Sequence, residues 1–272
     1  MKRAYFLLFS VGMLLALHVP VCEGAESLEL DGLIEPYMVV NVGSGVPGVL
    51  EAVTVDRGDF VIKGQVVANL ESGVEKAAME LARARAELEA TVKSRQANVD
   101  FCMRKQHRAE ELYKKEVLPL SQMDEAETNR TLAELELQEA LENKRLAELE
   151  FQRAIEVLKR RAIRSPIDGV VVERFLSPGE YVEQQPIMKL AQIHPLNVEV
   201  ILPVTLFGSI KVGMRAKVRP EAPVGGEYVA RVKIVDRVVD AASGTFGVRL
   251  ELPNPRYRLS AGLKCVVLFP RR

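Results

Sequence analysis

Residues 163–188 read IRSPIDGVVVERFLSPGEYVEQQPIM and repeat a segment that lies 121 positions earlier, GVPGVLEAVTVDRGDFVIKGQVV at residues 45–67. Gly48 recurs at Gly169, and no gap is needed over 20 positions. Short valine-rich runs separated by glycine and proline are typical of strands and turns. The chain is therefore expected to carry two copies of one short β unit, separated by an inserted segment.

Five glycines are interpreted as turn residues of the two copies: Gly48, Gly58, Gly64, Gly169 and Gly179. Each copy spans only about 25 to 30 residues, which is too few to bury a core alone. We therefore expect the two copies to close on each other. The inserted segment would then leave and return at one point, with Leu70 beside Ile163.

The inserted residues 72–162 contain one proline, Pro119, and one glycine, Gly73, among strong helix formers. One set of residues recurs every seven positions: Ala126, Ala133, Ala140, Ala147 and Ala154. A second set does so upstream, Val74, Leu81 and Leu88, beside a neighbouring row of Ala78, Val92 and Val99. This spacing predicts two antiparallel helices of about 40 residues each that pack as a coiled coil. Pro119 is expected to break them, and Ser121 to cap the second helix.

The first 25 residues predict an export signal. Lys2 and Arg3 precede a 14-residue apolar run, and small residues follow it. The alternative is a retained anchor, although a bilayer needs about 20 apolar residues. The mature chain is expected to be exported, after cleavage of the signal.

Composition argues against several function classes. Acidic and basic residues balance at 37 each and tryptophan is absent, which disfavours nucleic acid as a partner. The histidines show no ligand spacing, so no metal site is predicted. Cys102 and Cys265 fall in different predicted elements and are expected to remain unbridged. No phosphate loop, nucleophile elbow or His–carboxylate motif is present, so no enzyme activity is expected.

The last segment, residues 194–270, alternates short strand-like runs with proline and glycine. Five runs are expected to be strands: LNVEVILP, RAKVRP, YVARVKIVDRVV, FGVRLELP and LKCVVLFP. Such a pattern is typical of an antiparallel sandwich or small barrel.

The stretches GVLEAVTVDRGDFVIKGQVVANLES and IRSPIDGVVVERFLSPGEYVE resemble the two halves of a biotinyl/lipoyl-type domain. Together with VDRVVDAASGTFGVRLELPNPRYRLSAGLKCVV, they resemble the periplasmic adaptor (membrane fusion protein, HlyD-type) family of tripartite efflux and secretion systems. The resemblance implies an elongated α+β multidomain fold. A long antiparallel α-helical hairpin (coiled coil) would be inserted in a split biotinyl/lipoyl-like β domain, followed by a small antiparallel β-barrel.

The resemblance divides the chain into five segments. They are a signal peptide at 1–25, an N-terminal strand and first lipoyl-like half at 26–71, the hairpin at 72–162, the second half at 163–193, and the barrel at 194–272. A membrane-proximal domain is expected to be absent or vestigial. The resemblance implies that the exported chain works in the periplasm and is associated with the inner membrane through a transporter. The implied partners are an inner-membrane transporter of the resistance–nodulation–division class, an outer-membrane channel, and further copies of the chain in a ring (a hexamer or a trimer of dimers).

The resemblance also points to the hairpin tip as the place that docks on the channel. The tip residues are Arg108, Leu112, Val117, Leu118, Pro119, Leu120 and Ser121. Many family members carry an arginine, a leucine four positions later and a serine seven positions after that. Arg108 and Leu112 fit this pattern, but Ser121 follows Leu112 by nine positions, so the tip is two residues longer. For Arg108, an ordinary exposed helix charge is the alternative interpretation. The stretch from Val235 to Thr245 is expected to face the transporter.

Alternatives within and outside the family remain. A biotin or lipoate carrier subunit of an enzyme needs a lysine at the turn between the halves, but that position holds Val74, which cannot be acylated. No cofactor is therefore expected. An adaptor of an ABC-type or other secretion system shares the same architecture. A metal-exporter adaptor has little support, because Met38 is the one methionine expected in the mature chain before residue 79.

Overall fold

The structure is a computed structural model that describes residues 27–270. The predicted signal peptide therefore lies outside the described residues. The described chain forms two compact units. One contains residues 27–34, 197–253 and 262–270, and the other contains residues 35–196 and 254–261.

The described helices and strands follow one another in the order that the repeat and the inserted segment predict. The first strands are β1 (Ser27–Val42), β2 (Gly48–Val53), β3 (Phe60–Val61) and β4 (Val66–Leu70). The helices are α1 (Gly73–Ala86), α2 (Ala90–Lys114) and α3 (Leu120–Lys159). The remaining strands are β5 (Ala162–Arg164), β6 (Gly169–Arg174), β7 (Tyr181–Val182), β8 (Met188–Pro203), β9 (Arg215–Pro220), β10 (Tyr228–Val235), β11 (Thr245–Leu252) and β12 (Lys264–Pro270).

The first unit is a β-barrel. Its strands follow the order β1-β12-β9-β10-β11-β8, and β1 also pairs with β8, which closes the sheet. Exposed and buried residues alternate along β9, as a strand with one face on a core requires, so Ala216 and Val218 point inward. The predicted small barrel is confirmed.

The second unit contains the two repeat copies, and each copy completes the sheet of the other. Gly48 in β2 pairs with Val182 in β7, and the equivalent pair, Val61 in β3 with Gly169 in β6, has the same register. One apolar core is built from both copies, with Leu50 and Leu70 from the first and Val171 and Leu190 from the second. The two copies therefore close on each other.

The five glycines of the repeat divide into two groups. Gly58, Gly64 and Gly179 have positive φ angles of 94°, 87° and 90° and lie in turns. Gly48 and Gly169 instead begin strands β2 and β6, so they are not turn residues. A Cβ on Gly169 would lie 2.2 Å from the carbonyl oxygen of Ala191, which explains glycine at that position by close backbone approach.

The inserted segment is helical, but its first arm is not one helix. The second arm, α3, is a single helix of 40 residues, whereas residues 87–89 separate α1 from α2. Four residues of this arm that are buried or half-buried mark the side that faces α3. They are Met79 and Ala86 before the break, and Val92 and Val99 after it. The seven-residue step therefore shortens to six across the break, and an i→i−3 hydrogen bond from Leu88 N to Arg85 O (3.2 Å) tightens the chain there. The prediction of a continuous first helix was wrong. The seven-residue patterns before and after residues 87–89 are offset by one residue, and the helix is interrupted where they meet.

Only one of the two predicted seven-residue rows faces the other arm. Ala126, Ala133 and Ala140 are buried in α3, and the last two alanines of the row are half-buried. The upstream row Val74, Leu81 and Leu88 is exposed, so its assignment to the contact between the helices is corrected. In the row beside it, Val92 is half-buried and Val99 is buried, whereas Ala78 is exposed. Two pairs between the arms, Arg95 with Glu136 and Lys144 with Glu89, show that α2 runs antiparallel to α3. Glu75, in the first turn of α1, pairs with Arg161 just after α3, so the first arm begins beside the end of the second.

Within residues 27–270, no helix is both long and apolar enough to cross a membrane. Cys102 and Cys265 are buried and unbridged. Burial raises the pKa of the Cys265 thiol to about 11, which keeps it protonated and unreactive.

Candidate functional site

The tip of the helical segment is the turn between α2 and α3. The amide of Val117 donates to the carbonyl of Leu112 (3.0 Å), and the amide of Glu116 donates to that of Tyr113 (2.9 Å). These two bonds, with Glu116 at φ 59°, form a Schellman motif that ends α2. The helix α3 then begins at Leu120 with Pro119 as its N-cap and no side-chain capping bond, so Ser121 is not the cap.

Apolar side chains are exposed at this turn. Val117 is 70% exposed, Leu120 53% and Leu112 41%, while Leu118 is half-buried. The Schellman motif and Pro119 fix the backbone between two helix ends, so these side chains project from a rigid turn. The structure thus brings the predicted docking residues together at the tip.

A cleft of about 370 Å³ lies between α2 and α3 next to the turn. Arg108, Leu112 and Leu118 line it, together with Glu125. The Arg108 side chain is exposed and forms no ion pair or hydrogen bond with any residue among 27–270. Its neighbour Glu110 pairs with Lys114 at 2.8 Å, and this hydrogen bond holds the pKa of Glu110 below its ordinary value. Arg108 therefore remains available to a carboxylate or carbonyl of a partner.

The structure also shows what stands at the position of a carrier lysine. Val74 is the second residue of α1 and is 80% exposed, so the chain enters a helix where a carrier domain has a turn. Lys189 lies in β8 between the buried Met188 and Leu190, opposite Glu173 of β6. Within residues 27–270, no group of histidine, cysteine and carboxylate side chains could hold a metal ion.

Arg161, at the base of the helical segment, is a residue that sequence reasoning missed. Its guanidinium donates from Nη1 to the carbonyl of Pro47 (2.9 Å) and from Nη2 to the carboxylate of Glu75. Its own carbonyl accepts from the amide of Leu70 (2.8 Å). The one available signal was the pair Arg160–Arg161, which follows directly on the last residue of the helical pattern.

The loop between β10 and β11 lies within the stretch predicted to face a transporter. Asp240 organises it, because its carboxylate accepts hydrogen bonds from the amides of Ala242 (2.8 Å) and Ser243 (3.5 Å). These bonds lower the pKa of Asp240. Val238, at 81% exposure, is the most exposed apolar residue of the loop.

Two families match the described units. Residues 38–192 match the family of CzcB-like, barrel-sandwich hybrid domains, and residues 196–270 match that of CusB-like, beta-barrel domains. The first match alone covers more than half of the chain, and its limits enclose both repeat copies and the helices between them.

Curated relatives and a solved structure are similar over parts of the chain. A "UPF0194 membrane protein in asrC 5′region" of Acidithiobacillus ferridurans is 29% identical over 118 residues, which cover 39% of this chain and 35% of that protein. An uncharacterized protein of Haemophilus influenzae is 23% identical over 252 residues, which cover 91% of this chain and 58% of that protein. The chain thus spans between about a third and three fifths of these relatives' lengths.

The crystal structure of MacA from Actinobacillus actinomycetemcomitans has the same fold. It aligns with a TM-score of 0.74 at 22% identity, over 90% of this chain and 79% of MacA. At this identity the likeness establishes the fold alone.

Proposed function

This chain belongs to the membrane fusion protein family, through its CzcB-like barrel-sandwich hybrid domain, and from that premise we propose that it joins an inner-membrane efflux transporter to an outer-membrane channel. Members of this family are non-enzymatic linker proteins. Export of small molecules would then depend on contacts this chain makes with its partners.

One observation carries the docking part of the proposal: exposed apolar side chains project from a rigid turn between paired helices, and an arginine without an ion pair among residues 27–270 lines the cleft beside that turn. Val117 and Leu120 project into solvent, and Arg108 borders the cleft beside them. Exposed apolar groups on a fixed backbone are typical of a surface that binds another protein. The partner surface that suits them best is a groove between two helices, into which Val117 and Leu120 insert.

The length of the helical segment determines how far the tip lies from the base of the segment. The 40 residues of α3 extend about 60 Å at a rise of about 1.5 Å per residue. We propose that α1, α2 and α3 act as one coiled-coil hairpin, whose tip lies at the channel. A single tip offers little apolar area, so several copies in a ring would supply affinity through avidity.

The remaining partners follow from the same proposal. The chain would be exported by a cleaved signal peptide and would work in the periplasm. A transporter of the resistance–nodulation–division class is proposed as the inner-membrane partner, contacted through the stretch from Val235 to Thr245. A ring of six copies is the proposed assembly.

Photo-crosslinking from the tip tests the docking role. A benzoylphenylalanine at Ser121 is expected to capture an outer-membrane channel protein in the producing cell, because Ser121 is exposed beside Leu120. The double variant Val117→Asp/Leu120→Asp should abolish this product, since charged groups at these two positions oppose apolar packing.

A matched variant controls for charge alone. Leu135 and Leu149 are each 57% exposed on α3, and Leu135→Asp/Leu149→Asp introduces the same charge away from the turn. Helix content by circular dichroism should be unchanged in both double variants. Crosslinking that survives in Val117→Asp/Leu120→Asp at the level of the control would show that the tip is not the docking site.

A further inference from the structure

Two neighbouring strands of the barrel, β9 and β10, carry several basic residues on their outer face. The basic residues that are exposed on β9 and β10 are Arg215, Lys217, Arg219, Arg231 and Lys233. Three of these have acidic partners: Lys217 and Arg219 share Glu227, and Lys233 pairs with Glu251. The other two, Arg215 and Arg231, form no ion pair or hydrogen bond through their side chains with residues 27–270.

Arg215 and Arg231 lie directly opposite each other in the β9–β10 register. Like charges at directly opposed positions of an antiparallel pair destabilise the sheet. A groove of about 400 Å³ lies at this point, and both arginines line it with Lys233 and Glu251. Glu251 is the partner of Arg231 in the β10–β11 register, but its carboxylate forms its ion pair with Lys233. Two guanidinium groups beside one groove fit a phosphate, which accepts paired hydrogen bonds and neutralises their repulsion.

Apolar side chains are exposed next to the groove. The amide of Gly213 donates to the carbonyl of Val232 (2.9 Å), and the amide of Val232 donates to that of Met214 (2.8 Å), so the loop before β9 lies along β10. Val212 in this loop is 66% exposed. Phe207, five residues earlier in the chain, is 49% exposed and packs one edge of its ring against the buried Phe246. Lys211, which precedes Val212 in the chain, is exposed and adds a further positive charge.

We propose that this end of the barrel is a membrane-contact surface that binds anionic phospholipid headgroups, with the lipid phosphate between Arg215 and Arg231. The surface consists of Phe207, Lys211, Val212, Arg215 and Arg231. Exposed apolar residues flanked by basic ones are typical of proteins that bind at the lipid interface, where each cation near an anionic surface strengthens binding. An acidic protein would satisfy the arginines but would leave Val212 unexplained, so a lipid surface accounts for more of the observations.

Vesicle binding by the full exported chain tests this proposal. Vesicles of phosphatidylcholine with about 40% phosphatidylglycerol provide the anionic surface, and phosphatidylcholine alone provides the neutral one. The chain contains no tryptophan, so Val212→Trp gives a single reporter whose emission should shift to shorter wavelength on the anionic vesicles. Added salt should weaken binding.

The double variant Arg215→Gln/Arg231→Gln should weaken binding to anionic vesicles about 30-fold, since two cations contribute about 1 kcal/mol each. The control Lys217→Gln/Arg219→Gln removes the same charge from residues that already have an acidic partner, and its loss should be several-fold smaller.

Three results would overturn the membrane-contact surface. The first is binding to neutral vesicles as strong as binding to anionic ones, which would point to an apolar segment elsewhere. The second is an equal loss of affinity for anionic vesicles in the two double variants. The third is no binding to anionic vesicles at all. In the last case, loss of a crosslink from Val212 to an acidic protein in Arg215→Gln/Arg231→Gln would assign the surface to a protein instead. Tip docking is measured separately, so either proposal can fail alone.

Discussion

Arg161 and Glu75 are joined by an ion pair that links the residue after the second helical arm to the first turn of the first arm. The side chains are 23% and 15% exposed, so the pair is largely shielded from solvent. Because Arg161 also donates to the carbonyl of Pro47, one guanidinium ties both arms to the first repeat copy. The helical segment is therefore fixed where it leaves the barrel-sandwich core.

Replacing Arg161 should loosen this base. Arg161→Met removes a charged hydrogen bond to Glu75 and a second bond to Pro47, and the expected loss is about 2 kcal/mol in the free energy of unfolding. The adjacent Arg160 is a matched control, since it makes one exposed hydrogen bond, to Gly45, and Arg160→Met should cost well under 1 kcal/mol. Urea unfolding measures both. Equal losses in the two variants would mean that the Arg161–Glu75 pair has no special role.

The same pair predicts a dependence on pH. The hydrogen bond from Arg161 lowers the pKa of Glu75 below 4.5, so the folded state favours the ionised carboxylate. This stabilisation is fully present above pH 4.5 and is lost as the pH falls through the lower pKa of the folded protein. The difference in free energy of unfolding between the wild type and Glu75→Gln should therefore be greatest at neutral pH and decrease in acid.

Comparing the two proteins removes the acid effects that they share, because other carboxylates with lowered pKa values, such as Asp240 and Glu227, are present in both. A difference that stays constant from neutral to acid pH would show that the pKa of Glu75 is not lowered by folding.

The repeat provides a comparison between equivalent glycines. In Gly169→Ala the new methyl group would meet the Ala191 carbonyl oxygen at 2.2 Å, and backbone cannot move aside without breaking the pairing of β6 with β8. We expect a loss of about 3 kcal/mol. In Gly48→Ala the nearest atom is Arg161 Nη1 at 2.7 Å, a side-chain atom that can shift at the expense of its hydrogen bond to Pro47, so the loss should be about 1 kcal/mol. Thermal unfolding of the two variants measures this order, and the reverse order would contradict the close approach at Gly169.

The repeat made the barrel-sandwich core predictable, because turns and valines recur in register and each copy lacks a core of its own. The alanine row of α3 was predictable for a related reason: small residues at seven-residue spacing allow helices to approach closely, and Ala133 is buried accordingly. The equally regular row with Val74 and Leu81 led to a wrong prediction of the contact face of the first arm. Seven-residue spacing identifies residues on one side of a helix, but it does not show whether that side faces the other helix.

Other features leave little trace in the sequence. The break at residues 87–89 contains no proline or glycine, and it follows from the registers of both arms together. The paired arginines of the barrel do have a signal, the alternation of basic and apolar residues in RAKVRP, but the opposition of Arg215 to Arg231 depends on strand register. Arg161 stands among many arginines, and its partners are brought near only by the fold.

Glu116 supplies the last prediction. It occupies the left-handed position of the Schellman motif at the tip, φ 59°, where a side chain costs about 1 kcal/mol relative to glycine. Glu116→Gly should therefore stabilise the turn and slow hydrogen exchange of the Val117 amide, which donates to Leu112. Glu116→Val should accelerate it, because a β-branched residue tolerates this conformation least.

Neither change at Glu116 alters Val117, Leu118 or Leu120, so Glu116→Gly should dock on the channel at least as well as the wild type. The turn would then be a rigid platform for the apolar side chains beside it. If Glu116→Gly exchanged faster at Val117 than the wild type, the turn would not adopt the Schellman geometry in solution, and the positions assigned to the docking residues would have to change.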